Sequence, residues 1–456
     1  MLQIYAAGVQ AMKNLPTSDP RSWIFQWYTH QVTRQTNKAA AIAATFPNAG
    51  DPNRALAELM WNTCQAHNAG DDENQFLPWH RCFLLFFEQI IGSLTGHTEF
   101  TLPYWNYSTN DPTVRGVIPP QFTMQNDATF KSLYDDLRYP SVNNGQPIQN
   151  SPAAPLGPGD PLSLDFLRES NYKPSPDNVI QGFNLDLDAN LHGNVHTLVG
   201  GPQDMGAIPE AAQDPIFWMH HCNVDRLWAS WSAAGGVTPP DVSQNFTFVD
   251  GSGTRQDVDT KNFLDTSALG QMSYSYDRLE PVPVTPAPTP SGPSLLLAAN
   301  GPQPLRLTAA AQQAMLEPSA AAQPGPFAEH IAKHVPTKRV FLVLRELSAD
   351  AQPGVLYNAY VDLPANPTRQ QLSDHFVGIV NFFAFAHGGA GHAMAMPQKR
   401  KAGVTEKFLS FDVTTKIRAM QLNKSLQEKP TITLVPLGTP APNANPVIGK
   451  VQILVQ

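Results

Sequence analysis

The sequence predicts an α + β multidomain protein: a mainly α-helical domain over residues 1–280, a Pro/Ala-rich connector over 281–326 and a β-sandwich-like domain over 327–456. Three observations carry that division. Apolar residues recur at helical spacing before residue 280. The stretch from Pro281 to Pro326 opens PVPVTPAPTPSGP and ends AAAQPGP, a composition that cannot assemble a core of its own. Short runs rich in Val, Phe, Tyr and Ile follow it. At 456 residues the chain exceeds what one hydrophobic core usually supports, so a junction is expected.

In the first domain, Trp23 to Thr36, Arg54 to His67, Arg81 to Leu94 and Val224 to Ser232 carry the helical pattern, separated by turn-rich loops such as Ser108 to Asp177. In the second, strands are expected at Arg339 to Leu347, Val355 to Leu363, Val377 to Phe385, Phe408 to Thr414, Thr431 to Pro436 and Gly449 to Val455. No internal repeat is apparent.

Composition removes several function classes. The formal net charge of -8 comes from 38 acidic against 30 basic residues with no long basic run, which argues against a phosphate-tracking, nucleic-acid-binding surface. No stretch has the length of a membrane-spanning helix, so no membrane partner is expected. The three cysteines, Cys64, Cys82 and Cys222, are too few for a disulfide framework. Met1 to Leu15 does not read as a signal peptide, and localisation stays open, export with a removed leader included.

Histidines carry the chemistry. His192 and His196, in LHGNVH, are four residues apart, so on a helix both imidazoles leave one face and can grip one metal ion. His221, in DPIFWMHHCNVDRLW, is the choice for a third ligand, because Asp225 lies four residues on and can accept its second ring NH; His220 then faces elsewhere. A second trio is His30 in WIFQWYTHQ, His67 in WNTCQAH and His80 in FLPWHRCFLLFFE. A lone HxxxH is structural about as often as functional, but two trios inside aromatic-rich helical elements of one domain shift the balance. Neutral imidazoles without Glu or ExxH ligands favour copper over di-iron or di-manganese.

FLPWHRCFLLFFE, LPYWNYS, LHGNVHTLVGG and DPIFWMHHCNVDRLW together resemble the copper-binding regions of the type 3 copper proteins, the family of tyrosinases, catechol and polyphenol oxidases and molluscan haemocyanins, in a bacterial-like form. The match runs from about Trp23 to Asp277. It includes a YxY pattern, Tyr274 and Tyr276, which in plant polyphenol oxidases marks the end of the catalytic domain.

The resemblance implies a four-helix bundle holding two copper ions, His30, His67 and His80 on the first and His192, His196 and His221 on the second. It implies O2 as co-substrate and a small phenolic or catecholic substrate. It also implies a thioether between Cys64 and His67, although NAGDDENQFLPW makes the interval from His67 to His80 longer than in many relatives.

By the same resemblance Asp188 and Phe217 are the candidate catalytic residues, Asp188 as an acid that holds a water, with Asp186 competing, and Phe217 as an aromatic packed beneath the ligands. Gly193, Thr197, Ala207 and Ile208 would line the substrate pocket. Neither Gly193 nor Thr197 is a base, and Gly193 lacks the amide that orients a water in some tyrosinases, so oxidation of o-diphenols to o-quinones ranks above hydroxylation of monophenols. A haemocyanin-like oxygen-binding protein and an o-aminophenol oxidase would use the same six histidines.

The C-terminal segments VLYNAYVDLP, FVGIVNFFAFAH and KPTITLVPLG resemble the domain that shields the copper site in latent plant polyphenol oxidases, with Val355 or Leu356 as the shielding side chain. Two further clusters, HIAKH (His330, His334) and HGGAGHAMAM (His387, His392, Met394, Met396), read as an exposed helix face and a Gly-rich loop in preference to metal sites.

Overall fold

A computed structural model describes residues 1–65, 71–153, 157–282, 294–319, 327–334, 338–386 and 407–456. These residues fall into two compact units. One takes 1–151 and 199–282; the other takes 152–198 with the described residues from 294 onward. The boundary differs from the expected one, because 152–198, placed with the helical domain by sequence, packs with the β-rich chain.

The first unit is helical, with helices at Leu2–Asn14, Trp23–His30, Lys38–Thr45, Pro52–Met60, Phe76–Thr95 and Ile216–Ala233. Ser22 caps the second by accepting from the Phe25 amide, and Gly96, at φ 72°, ends the long one. Trp23–His30 stops short of the expected Thr36. Beyond it Gln31 is extended, and the Val32 amide donates to the Asn62 side chain. The helices Phe76–Thr95 and Ile216–Ala233 meet through aromatic rings, Phe87 stacked on Trp218 and Phe83 tilted against the same indole. One hairpin, strand β1 (Asn245–Val249) with β2 (Arg255–Asp259), completes the unit.

A buried ion pair locks those two helices. Arg81 Nε donates to Asp225 Oδ1 at 2.6 Å, its guanidinium lies 3.5 Å from the Trp228 ring centroid, and its Nη1 donates to the carbonyls of Phe263 and Leu264. Tyr274 and Tyr276 both donate to Asp225 Oδ2, at 2.5 and 2.6 Å. The YxY pattern is therefore a clasp that fastens the end of the unit to its core. This corrects the expected role of Asp225, whose carboxylate is engaged by Arg81 and the two tyrosines instead of orienting His221. Burial opposes the Arg81 charge, but Asp225 and the tyrosines more than offset it and raise its pKa.

The second unit is built on one antiparallel sheet in the order β8-β7-β10-β5-β3-β11-β6-β9, with β4 paired to β11. The strands are β3 (Leu295–Asn300), β4 (Leu305–Arg306), β5 (Gln312–Pro318), β6 (Val340–Ser348), β7 (Tyr357–Val361), β8 (Phe376–Val380), β9 (Leu409–Asp412), β10 (Thr431–Pro436) and β11 (Val447–Val455). The expected sandwich is corrected to a barrel-like sheet. Its two edges approach each other at Gly378 of β8, where the Phe411 ring of β9 fills the space a side chain would need.

Strands β3 to β5 lie inside the stretch read as connector. Composition hid their alternation: Ala314 and Leu316 are buried while Gln313, Met315 and Glu317 face out. The histidine-bearing segment of 152–198 joins this core through Val179, Ile180, Leu185 and Ala189. Its backbone is pinned by Ser410 Oγ donating to the Val179 carbonyl and Arg345 to that of Asn178. No helix among the described residues is long and apolar enough to cross a membrane.

The clasp is testable by equilibrium denaturation. Asp225→Ala leaves Arg81 buried without a counterion and should cost about 3–5 kcal/mol. Tyr276→Phe removes one charge-assisted donor and should cost about 1.5–3 kcal/mol. Equal losses in the two variants would contradict the clasp.

Candidate metal centre

In the helical unit His30 closes the helix Trp23–His30 and His80 sits in the first turns of Phe76–Thr95, both buried. His80 Nδ1 lies 2.7 Å from the Phe76 carbonyl, which can only accept, so the ring proton sits on Nδ1 and Nε2 presents its lone pair. Cys64 Sγ is 3.6 Å from that Nε2, and one ligand atom each from His30, Cys64 and His80 lie within 4.8 Å of one another. His67 and the sulfur bridge expected to reach it lie outside the described residues. Burial pushes the thiols of Cys82 and Cys222 well above the ordinary range, which makes them unreactive.

His221, on Ile216–Ala233, stacks parallel on His80 with 4.2 Å between centroids. Phe217 packs edge-on to His30 at 5.0 Å and tilted on His221 at 4.3 Å. His220 rests on Tyr107, yet a ring nitrogen stays within 4.8 Å of one on His221, closer than expected. Ala207 and Ile208 are buried at the start of the turn Ile208–Ala211.

In the β-rich unit the chain passes from Gly182–Leu187 through a π-helical turn, Asp188–His192, into Gly193–Gly200. Such a wider turn recurs at functional sites because it re-aims side chains without breaking the helix. His192 and His196 stand edge to face, 4.5 Å between centroids. His192 Nδ1 is hydrogen-bonded at 3.3 Å to the main-chain carbonyl of Asp188 and lies 3.0 Å from Oδ1 of the same residue, which is fully buried and accepts from Lys407 Nζ at 2.9 Å through Oδ2. Burial alone would raise this carboxyl, but Lys407 and His192 more than offset it and hold it below its ordinary value. Asp188 thus orients a histidine, which differs from the water-holding role expected of it. Asp186, which accepts from Asn190, is pushed up to about 8 by burial and by Glu169.

Val355 and Leu356, the side chains the sequence suggested as a shield, are buried in the β-rich unit, where the Leu356 amide donates to the Ala153 carbonyl. Phe383, in the turn after β8, lies parallel to His196 with 4.1 Å between centroids and 8° between planes. Asn381 is buried beside it and donates to the Ala189 carbonyl and to Asn194 Oδ1. Its amide fills the space a Gly193 side chain would occupy, 2.5 Å from where a Cβ would stand. The Thr197 hydroxyl donates to the Gly193 carbonyl and is thereby used within its own helix. Phe383 and Asn381 fall in a segment that sequence had marked for its resemblance; Lys407 carried no signal there. The side chains of His330 and His334 and the whole of HGGAGHAMAM lie outside the described residues.

The donor sets fit copper: buried imidazoles, one thioether-capable sulfur, and ring nitrogens fixed by a carbonyl or a carboxylate on the side away from a metal.

Residues 20–234 match the family model described as the common central domain of tyrosinase, and 293–456 match a domain of unknown function. A tyrosinase of Hahella sp. is 28% identical over 360 residues, 66% of this chain and 72% of the relative. Aureusidin synthase of Antirrhinum majus is 29% identical over 324 residues, 64% of this chain and 52% of the relative, so the match spans about half of that plant protein. Among solved structures, latent aurone synthase superposes with a TM-score of 0.61 at 21% identity, covering 100% of this chain and 86% of that one. Latent apple tyrosinase gives 0.58 at 21%, covering 100% and 94%. At these identities the superpositions show a shared fold, a helical core with a β-rich C-terminal domain.

Gly193 tests the close fit. An ordinary Gly→Ala change inside a helix gains about 0.8–1 kcal/mol. Here Gly193→Ala should instead cost about 1–3 kcal/mol by overpacking, and the loss should shrink in an Asn381→Ala background. A stabilised single variant, measured by urea unfolding, would contradict the packing.

Proposed function

We propose that this chain, whose residues 20–234 match the family model of the common central domain of tyrosinase, is a type 3 copper enzyme that oxidises o-diphenols to o-quinones, two catechols and one O2 giving two quinones and two waters. The reading assigns His30, His67 and His80 to one copper and His192, His196 and His221 to the other, in a four-helix bundle formed by the helices that carry them. Bound copper supplies the electron exchange with O2.

The single observation that carries the substrate class is the Phe383 ring stacked on His196. A flat aromatic ring on a ligand imidazole is the pose a phenol would take, so the protein holds its own side chain where substrate would lie. This supports a latent enzyme in which substrate and Phe383 compete for one face of His196. Phe217 buttresses His30 and His221 and keeps their rings from turning.

Diphenol chemistry is favoured over monophenol hydroxylation by the polar groups nearby. Asp188 is engaged by His192 and Lys407, Thr197 by its own helix, and Gly193 offers no side chain. None of these is disposed to take the proton that an incoming monophenol must lose.

Phe383→Ala should raise the rate at which the intact chain consumes O2 with dopamine, while tyramine remains the poorer substrate. An aromatic pair is worth about 0.5–1.5 kcal/mol beyond its buried area, which sets a gain of up to about tenfold. Comparable turnover of tyramine and dopamine would contradict the diphenol preference; no O2 uptake with either, from a protein that binds O2, would point to an oxygen carrier.

A further inference from the structure

Lys407 is an odd residue to find enclosed. Its side chain is 7% exposed and its ammonium lies 2.9 Å from Asp188 Oδ2, while Asp188 Oδ1 lies 3.0 Å from His192 Nδ1, with Asp188 and His192 fully buried. The lysine is 219 residues away in sequence from its partner. Its backbone is held in place nonetheless: the adjoining Phe408 carbonyl accepts from Gln181 Nε2, and the Ser410 amide donates to Gln181 Oε1. The chain that carries Lys407 into β9 is therefore tied to the chain that leads into the HxxxH pair, and the ion pair is a built feature of this unit.

We propose that Lys407 is a positioning residue for the second copper, acting through Asp188 to hold His192 with its Nδ1 anchored and its Nε2 turned to the metal. This rests on the assignment of His192 as a copper ligand made above. The physical reason is charge compensation. A carboxylate taken out of water keeps its place only when a cation or several donors replace the lost hydration. Lys407 supplies that cation. Without it Asp188 would turn toward solvent or admit water, and the His192 ring would keep only the 3.3 Å contact of its Nδ1 with the Asp188 main-chain carbonyl. Outer partners of metal-bound histidines have this effect generally, worth about 10–100-fold in metal affinity.

One consequence separates this from a simple cover. The same C-terminal chain that places Phe383 over His196 also supplies the charge that steadies His192. Cutting that chain away would uncover the site and weaken its hold on one metal ion together.

The test is titration of the full-length apoprotein with Cu(I) against a chromophoric chelator, with thermal melting to confirm folding. Wild type should take two coppers. In Lys407→Met one of the two should bind about 10–100-fold more weakly with the other unchanged, Lys407→Arg should restore it, and Lys407→Met/Asp188→Asn should recover most of it, because an amide still accepts from His192 without a charge to compensate. Wild-type affinity for both coppers in Lys407→Met, or equal weakening of both coppers, would overturn the proposal. If Lys407→Met does not fold, the double variant decides: retention of both coppers supports the charge argument and selective loss of one overturns it. A wild-type protein that binds no copper would instead remove the dicopper reading itself.

Discussion

A buried imidazole can serve a metal only if its other nitrogen is held, and this requirement shapes the surroundings of the histidines in both units. A neutral ring has one donor and one acceptor; whichever nitrogen carries the proton must find an acceptor inside the protein. His80 finds the Phe76 carbonyl four residues back on its own helix. His192 has the same kind of backbone partner, the Asp188 carbonyl at 3.3 Å, and beside it the Asp188 carboxylate at 3.0 Å, across a π-helical turn. The first solution uses backbone and carries no charge. The second introduces a carboxylate, and a buried carboxylate brings with it a need for Lys407.

That need explains why the chain is divided as it is. The segment 152–198 belongs by sequence order to the helical part, yet its apolar residues and its carbonyls are satisfied by the barrel. Phe383, Asn381 and Lys407 then act on three successive features of one short helix: the ring of His196, the bare backbone at Gly193 and the carboxylate of Asp188. A plug alone would need only the first contact. The other two show a surface shaped to the helix, polar group against polar group, with Gly193 kept small so that the Asn381 amide can enter.

Much of this was legible from sequence where the signal is local. Five of the six expected copper ligands sit buried in helices or at their ends, and β10 runs from Thr431 to Pro436 as its strand-forming composition indicated. Strands β3 to β5 were not legible, because Pro and Ala dominate the composition and conceal a period of two. Asp225 was misassigned for a different reason: helical spacing places it near His221, but Arg81 and two tyrosines reach it from 144, 49 and 51 residues away. Phe383 and Lys407 are also long-range choices. Which side chain of a barrel meets a given histidine depends on register and turn geometry, and no local pattern encodes that.

The central claim is that six imidazoles hold two copper ions as a coupled pair. It is tested most directly by counting copper in the purified, oxidised full-length protein and recording the electron paramagnetic resonance spectrum of the same sample. The account predicts two coppers per chain with almost no cupric signal, because the spins of a close Cu(II) pair cancel. One copper per chain, or two with the full signal of isolated ions, would contradict it.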